Sequence, residues 1–301
     1  MLKSTSKSKI AELILLLITI IWGSAFVVVK NTIAAIPPNY LIAFRFFLAC
    51  VLMCIVFFPR LKKINRTCII GGLCIAIPAY LGYFLQTVGL LYTTAGNSAF
   101  LTSVYVVMVP FFYWLIRHKH PDKFNIAAAI ICLIGIGFIS LNTNFSMNYG
   151  DFLSLIGGLA FAAQIVAISI FTEKCDPILL ALTQFLFTGV FALIVALFTE
   201  SFPTHIEADS VYALLYVGVF STMIALTLQN ICQKYVLTSK ASLIMSLEAV
   251  FGCFFGIVFL QEQFTYKKII GFLLVLIAMI LSETKLSFLK KNKASADKTN
   301  S

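Results

Sequence analysis

Residues 85–139 align with residues 228–282 at a fixed offset of 143, without a gap. Leu85-Gln86 falls on Leu228-Gln229, Tyr92 on Tyr235, Ser103 on Ser246, Val107 on Val250 and Phe111-Phe112 on Phe254-Phe255. Upstream, Pro38, Leu41, Phe46 and Val56 fall on Pro177, Leu180, Phe185 and Val195 at an offset of 139. One four-residue difference reconciles the two offsets. A duplication of this kind confines the chain to two copies of one structural unit.

The solvent of that unit follows from composition. The chain is 60% hydrophobic and 11% charged, against about 45–50% and about 25% in ordinary soluble domains. No water-soluble domain of this length hides so much apolar surface, so the lipid bilayer is the first partner expected. Ten apolar runs separate charged or turn-rich breaks, from Ile10–Val29 to a short last one, Ile269–Leu281. Most reach the ~20 residues that cross a ~30 Å hydrocarbon core. Backbone groups in lipid must be satisfied within each segment, so the runs are expected to be helices. The first run follows Lys3, Lys7 and Lys9 like a signal peptide, but it is too long and lacks a small-residue cleavage site.

Eight cysteines are present, and Cys50, Cys54, Cys74, Cys132, Cys232 and Cys253 lie inside apolar runs. They are expected to pack as small hydrophobes, without a disulfide framework. No His or Asp accompanies Cys50 and Cys54, so no metal site is expected, and no cofactor motif appears. The net charge of +10 resides in loops and tails, which removes nucleic acid as a partner.

With the N-terminus inside, eighteen of the 22 Lys and Arg fall on the inner side. Lys30, Lys267 and Lys268 fall outside, and Arg45 falls within the membrane. The longest outer loop carries Glu200, Glu207 and Asp209 instead. This asymmetry places both termini in the cytoplasm. Each repeat holds five helices, an odd number, so the halves must enter the bilayer from opposite sides. The expected fold is therefore all-α and multi-pass, ten transmembrane helices as two inverted five-helix repeats. Its parts are a cytoplasmic tail (1–9), a first repeat (10–142), a second repeat (150–283) and a basic cytoplasmic tail (284–301), the last held near anionic head groups.

Particular residues then resemble a known family. Trp22-Gly23-Ser24-Ala25-Phe26 ending at Lys30, Arg45-Phe46, Gln86-Thr87-Val88-Gly89-Leu90 and Tyr92 through Thr102 resemble the EamA family of the drug/metabolite transporter superfamily. The second half agrees through Gln229, Gln233-Lys234, Ser246 through Phe251 and Gln261-Glu262. The resemblance spans about residues 10–283. It implies a basket-like bundle in the plasma membrane, with a cavity lined by helices 1, 3, 4, 6, 8 and 9 and open to one side at a time. It also implies a cargo of amino acids, other small metabolites or drugs. Many relatives carry Pro after the ninth-helix Glu; Ala249 stands here, which removes the usual cause of a kink.

Glu248 is the sharpest candidate, about seven residues, or roughly 10–11 Å, into the ninth span. A charge near mid-bilayer costs about 2.5–3.5 kcal/mol, so it should face protein or a wet cavity, where it can exchange a proton during transport. Its repeat mate is Tyr105. Ser98, Thr102 and Tyr105 share one face of helix 4, opposed by Ala241, Met245 and Glu248 on helix 9. Gln86, Gln229, Asn230, Asn97 and Gln164 are amides suited to polar substrate groups, or equally to interhelical bonds. Trp22 offers a stacking wall for cargo or an anchor for the bundle. Arg45 lies near the outer end of helix 2; it snorkels to the surface, pairs with a helix end, or meets an anionic substrate. Gly157-Gly158 and Gly252 through Gly256 suit close helix approach, and Pro78 and Pro110 suit kinks.

These observations favour a secondary carrier of a small polar or amphipathic metabolite, exporting by alternating access. A phosphorylated-substrate or nucleotide-sugar exchanger would need several fixed cations, and only Arg45 is available in mid-chain. A membrane-embedded lipid-modifying enzyme would need a catalytic set. No HExxH, GxSxG or CxxC motif is present, and His118, His120 and His205 lie in loops. No P-loop supports ATP hydrolysis.

Overall fold

The computed structural model describes residues 6–118, 120–141 and 146–284. Most of the two expected tails, 1–5 and 285–301, lies outside the described residues. The chain forms α1 (Ser6–Thr32), α2 (Pro38–Val56), α3 (Arg66–Tyr92), α4 (Ala95–Ile116), α5 (Lys123–Ser140) and α6 (Tyr149–Phe171). It continues as α7 (Pro177–Thr199), α8 (Ala208–Gln233), α9 (Thr238–Leu260) and α10 (Tyr266–Thr284). Among the described residues, nine of these are long and apolar enough to cross a membrane. The tenth, expected to be short, reaches 19 residues and packs along α5. A single antiparallel bridge, Leu141 with Met147, is the extent of β-structure among the described residues.

Helix starts are chemically marked. Asn65, Thr94, Asp122, Asn148 and Asp176 each accept a backbone N–H of the first turn of α3, α4, α5, α6 and α7. Pro38 and Pro177, the duplicated prolines, both open helices, where a missing N–H costs nothing. The duplication also reaches the backbone. His118 and Gln261, 143 residues apart, end α4 and α9 in the same left-handed conformation, with φ of 55° and 52°.

Contacts between ends confirm that the helices alternate in direction. At the end bearing the basic loops, Lys240 pairs with Glu12 at 2.6 Å and Arg60 with Asp176 at 3.1 Å. At the opposite end, the Lys30 ammonium donates to the carbonyls of Leu90 and Thr93, capping the C-terminus of α3. Lys30 is thus an interhelical tie. There too, Glu262 accepts from the N–H groups of Ala95 and Gly96, and Glu200 from those of Asn39 and Tyr40. Both carboxylates belong to the second repeat and sit on helix N-termini of the first, where the dipole favours negative charge.

The repeats interlock rather than sit side by side. α3 packs on α6 and α7, α2 on α7 and α8, α9 on α1 and α4. Glycine permits the closest approaches: a Cβ on Gly72 would lie 2.1 Å from the Thr183 hydroxyl, and one on Gly158 would lie 2.6 Å from the Thr102 carbonyl. Large apolar side chains such as Leu17, Ile55, Leu133, Phe198 and Leu273 point outward on all sides, as contact with lipid requires.

Two expectations need correction. Cys68 and Cys175, 107 residues apart, form a disulfide between α3 and the α6–α7 connection. The other six cysteines are free. The pairing escaped sequence reading because only the packing of α3 on α7 brings the two together. Second, α9 breaks without proline. Leu247 and Val104 bond to carbonyls three residues back, as do Ala249 and Val106, so α9 and α4 both tighten at equivalent points, Ser246–Leu247 and Ser103–Val104. Such i→i−3 stretches within helices mark hinges or strain.

Candidate functional site

Those two breaks meet beside a cavity of about 60 Å³ between the repeats, which residues next to them, Tyr105, Met245 and Glu248, line. Its walls come from α1 (Trp22, Phe26), α2 (Arg45), α3 (Tyr83, Gln86), α4 (Tyr105), α6 (Phe161, Gln164), α8 (Ser221, Gln229) and α9 (Met245, Glu248). Every helix named by the resemblance contributes, and α2 adds its arginine.

Arg45 is 3% exposed and does not snorkel. Its Nε donates to Thr222 Oγ1 at 2.8 Å and its Nη2 to Ser221 Oγ at 3.3 Å. The guanidinium also lies 4.8 Å from the Tyr83 ring centroid, a cation–π distance. Local backbone explains the partners. From Val217 to Ile224, α8 widens into a π-helix, and Thr222 donates its hydroxyl to the carbonyl of Val217, five residues back. The wider turn also turns the Ser221 carbonyl toward α1, where the Trp22 indole donates to it at 3.0 Å. Trp22 is therefore both cavity wall and anchor. Single π-turns of this kind recur at functional sites.

Glu248 opens the second half of α9, immediately after the break. It is 6% exposed and accepts from the Ser103 hydroxyl at 3.4 Å. No ion pair joins it to Arg45, although both line the cavity. The site thus holds a buried cation and a buried carboxyl, each with neutral partners. Two further polar atoms among the lining residues, Gln164 Nε2 and Gln229 Oε1, have no hydrogen-bond partner. An unsatisfied buried polar group costs about 1–3 kcal/mol, so a polar guest that met these atoms would recover that cost.

The remaining sequence candidates are placed elsewhere. Asn97 Nδ2 donates to Asp151 at 3.2 Å, and Ser98 and Ser154 hydroxyls bond at 2.9 Å across the α4–α6 seam. Thr102 accepts from Gln86 Nε2 at 3.3 Å, which orients that amide from behind. Asn230 reaches Gln184 on α7. For Ser98 and Thr102, the break at Ser103–Val104 uncouples their face from Tyr105. Tyr83, Ser221 and Asp151 were not anticipated. Asp151, 2% exposed, accepts from the Thr93 hydroxyl as well as Asn97; it stands just before an apolar run, where a loop carboxylate looks the same in sequence.

No group of three or more metal-ligating side chains occurs among the described residues.

Comparison with known proteins agrees with this architecture. The model of the EamA-like transporter family matches residues 9–141 and 148–284. An uncharacterized transporter of Archaeoglobus fulgidus is 36% identical over 271 residues, covering 90% of this chain and 85% of its own. The uncharacterized transporter YoaV of Bacillus subtilis is 27% identical, covering 86% and 91%. A solved structure described only as "Crystal structure of protein" superposes with a TM-score of 0.67 at 13% identity, over 93% of this chain and 99% of that one. With both halves matched, the chain belongs to the EamA-like transporter family.

Proposed function

We propose that this membrane transporter is a secondary or facilitative carrier that exports a small amino acid-like or amphipathic metabolite across the plasma membrane by alternating access. The reading rests on one observation: a single cavity between the repeats holds Arg45 and Glu248 unpaired with one another, with free amide valences between. A carboxylate on the solute meets the guanidinium and an ammonium meets the Glu248 carboxyl, while Trp22, Phe26 and Phe161 supply apolar wall. At about 60 Å³ the cavity holds on the order of four waters, so cargo enters only as the helices part. The tightened points of α4 and α9 are where such parting bends the bundle. The basic loops lie in the cytoplasm in this reading, with both termini.

Counterflow of labelled amino acids in proteoliposomes tests it. Saturable exchange is expected, and Glu248→Ala and Arg45→Ala should each reduce it at least about tenfold, the loss of one charge-assisted contact. Exchange that ignores both substitutions overturns the site. Proton coupling is assigned to Glu248: an imposed pH gradient should drive net flux, and Glu248→Gln should leave flux indifferent to the gradient. Exchange of phosphorylated solutes is disfavoured, because Arg45 is the one cation among the cavity-lining residues.

A further inference from the structure

The Cys68–Cys175 disulfide lies at the end of the bundle that bears the basic loops. It ties the first turn of α3, in the first repeat, to the α6–α7 connection, in the second. Both cysteines form part of the wall of a second cavity, about 330 Å³ in volume. Three lysines converge on that cavity from three separate connections: Lys63 between α2 and α3, Lys174 between α6 and α7, and Lys234 between α8 and α9. Glu173 and Asp176 line it too, and Arg60 engages Asp176, so the balance of charge stays positive. The Asn65 side chain accepts from the Cys68 N–H at 2.9 Å and fixes Cys68 at the positive end of α3.

We propose that this cavity is a redox site, in which an anionic low-molecular-weight thiol binds among the lysines and reduces the Cys68–Cys175 disulfide. The incoming thiolate attacks Cys175 Sγ, because Cys175 is 9% exposed and Cys68 only 1%. A new S–S bond forms there, the bond to Cys68 breaks, and its electron pair stays on Cys68 Sγ. Negative charge on that sulfur is stabilised by the α3 N-terminus. A second small thiolate attacks the small-molecule sulfur of the mixed disulfide and releases Cys175 as thiolate. Two small thiols leave as their disulfide, and the protein gains two electrons. The reverse reaction, with the small disulfide as oxidant, restores the tie. The proposal rests on the cytoplasmic placement of the basic loops. In that reducing compartment persistent disulfides are uncommon, and those present are usually transient or redox-sensing. Reduction removes the covalent link at one end of the α3–α7 seam, where the repeats must separate if that end is to open.

The test measures reduction of the oxidised, purified full chain by differential alkylation and mass spectrometry of the peptides carrying Cys68 and Cys175. Thioglycolate and cysteamine serve as anionic and cationic thiols of similar size. Each rate is divided by the same thiol's rate on a small neutral disulfide, which cancels intrinsic reactivity. Thioglycolate should be favoured about tenfold, and the triple variant Lys63→Gln, Lys174→Gln, Lys234→Gln should lose the preference. Lys234→Gln alone, a milder change, should reduce it about twofold. Equal normalised rates in the wild type, or a preference that survives in the variants, overturns the proposal. So does finding both cysteines unpaired after oxidation. Substrate transport is not part of the readout, so failure here and failure of the carrier reading are separate results.

Discussion

Arg45 is held by geometry that a different cation cannot reproduce. Its Nε and Nη2 reach Thr222 and Ser221 in a fixed fork while its plane lies against Tyr83. A lysine keeps the charge but has one donor head, and it loses the stacking. Arg45→Lys should therefore lower carrier exchange about tenfold while the protein still purifies as a folded species, and near-normal exchange would show that only charge matters. Thr222→Val tests the π-turn from the other side: it removes the hydroxyl that receives Nε and donates to Val217. The expected result is weaker transport with a raised KM. At this scale, sequence reading identified Glu248, Gln86, Gln164, Gln229, Trp22 and Tyr105 as polar or aromatic residues out of place in lipid, and all six line one cavity. Asn97, Ser98, Thr102 and Asn230 looked the same in sequence, because a polar residue buried against another helix has the same local pattern as one facing a cavity.

Helices α4 and α9 decide which of those residues meet. A regular helix would carry Ser98, Thr102 and Tyr105 on one face, as their spacing predicts. The i→i−3 bonds at Ser103–Val104 change that, and the same bonds recur at Ser246–Leu247. Neither Ser103-Val104 nor Ser246-Leu247 contains glycine or proline, so the tightening was invisible until the neighbouring helices were in place. It has a testable consequence. Ala249 stands at the second residue of the new helical segment, in its first turn, and its N–H makes only the i→i−3 bond to the Ser246 carbonyl. Ala249→Pro loses that one bond and should cost about 0.5–1.5 kcal/mol, whereas Phe255→Pro, in the segment interior, should cost about 3 kcal/mol or more. Thermal unfolding in detergent compares them, and equal losses would argue against a break. Close packing gives a second test: Gly72→Leu on α3 must displace Thr183 of α7. Overpacking of that kind costs about 1–3 kcal/mol and should lower the unfolding temperature.

At the scale of the whole molecule, the two repeats are joined by packing, by carboxylates on helix N-termini at one end and by a disulfide at the other. A bridge between residues 107 apart in sequence restrains the unfolded chain by about 2–4 kcal/mol. Reducing agent should therefore lower the unfolding temperature of the wild type and leave Cys68→Ser, Cys175→Ser unchanged. Orientation is tested independently by impermeant labelling of single cysteines at positions 3 and 298, which should react only from the cytoplasmic side. Much of this level was legible in the linear chain. Apolar runs of bilayer length, repeated at a constant offset with an odd number of helices per copy, dictate an inverted membrane bundle, because a run of about 20 apolar residues satisfies its backbone hydrogen bonds in lipid as a helix. Tertiary structure alone decided which polar side chains share a cavity, where α4 and α9 tighten, and that Cys68 meets Cys175. Those outcomes depend on contacts between segments tens to hundreds of residues apart, and no local pattern encodes them.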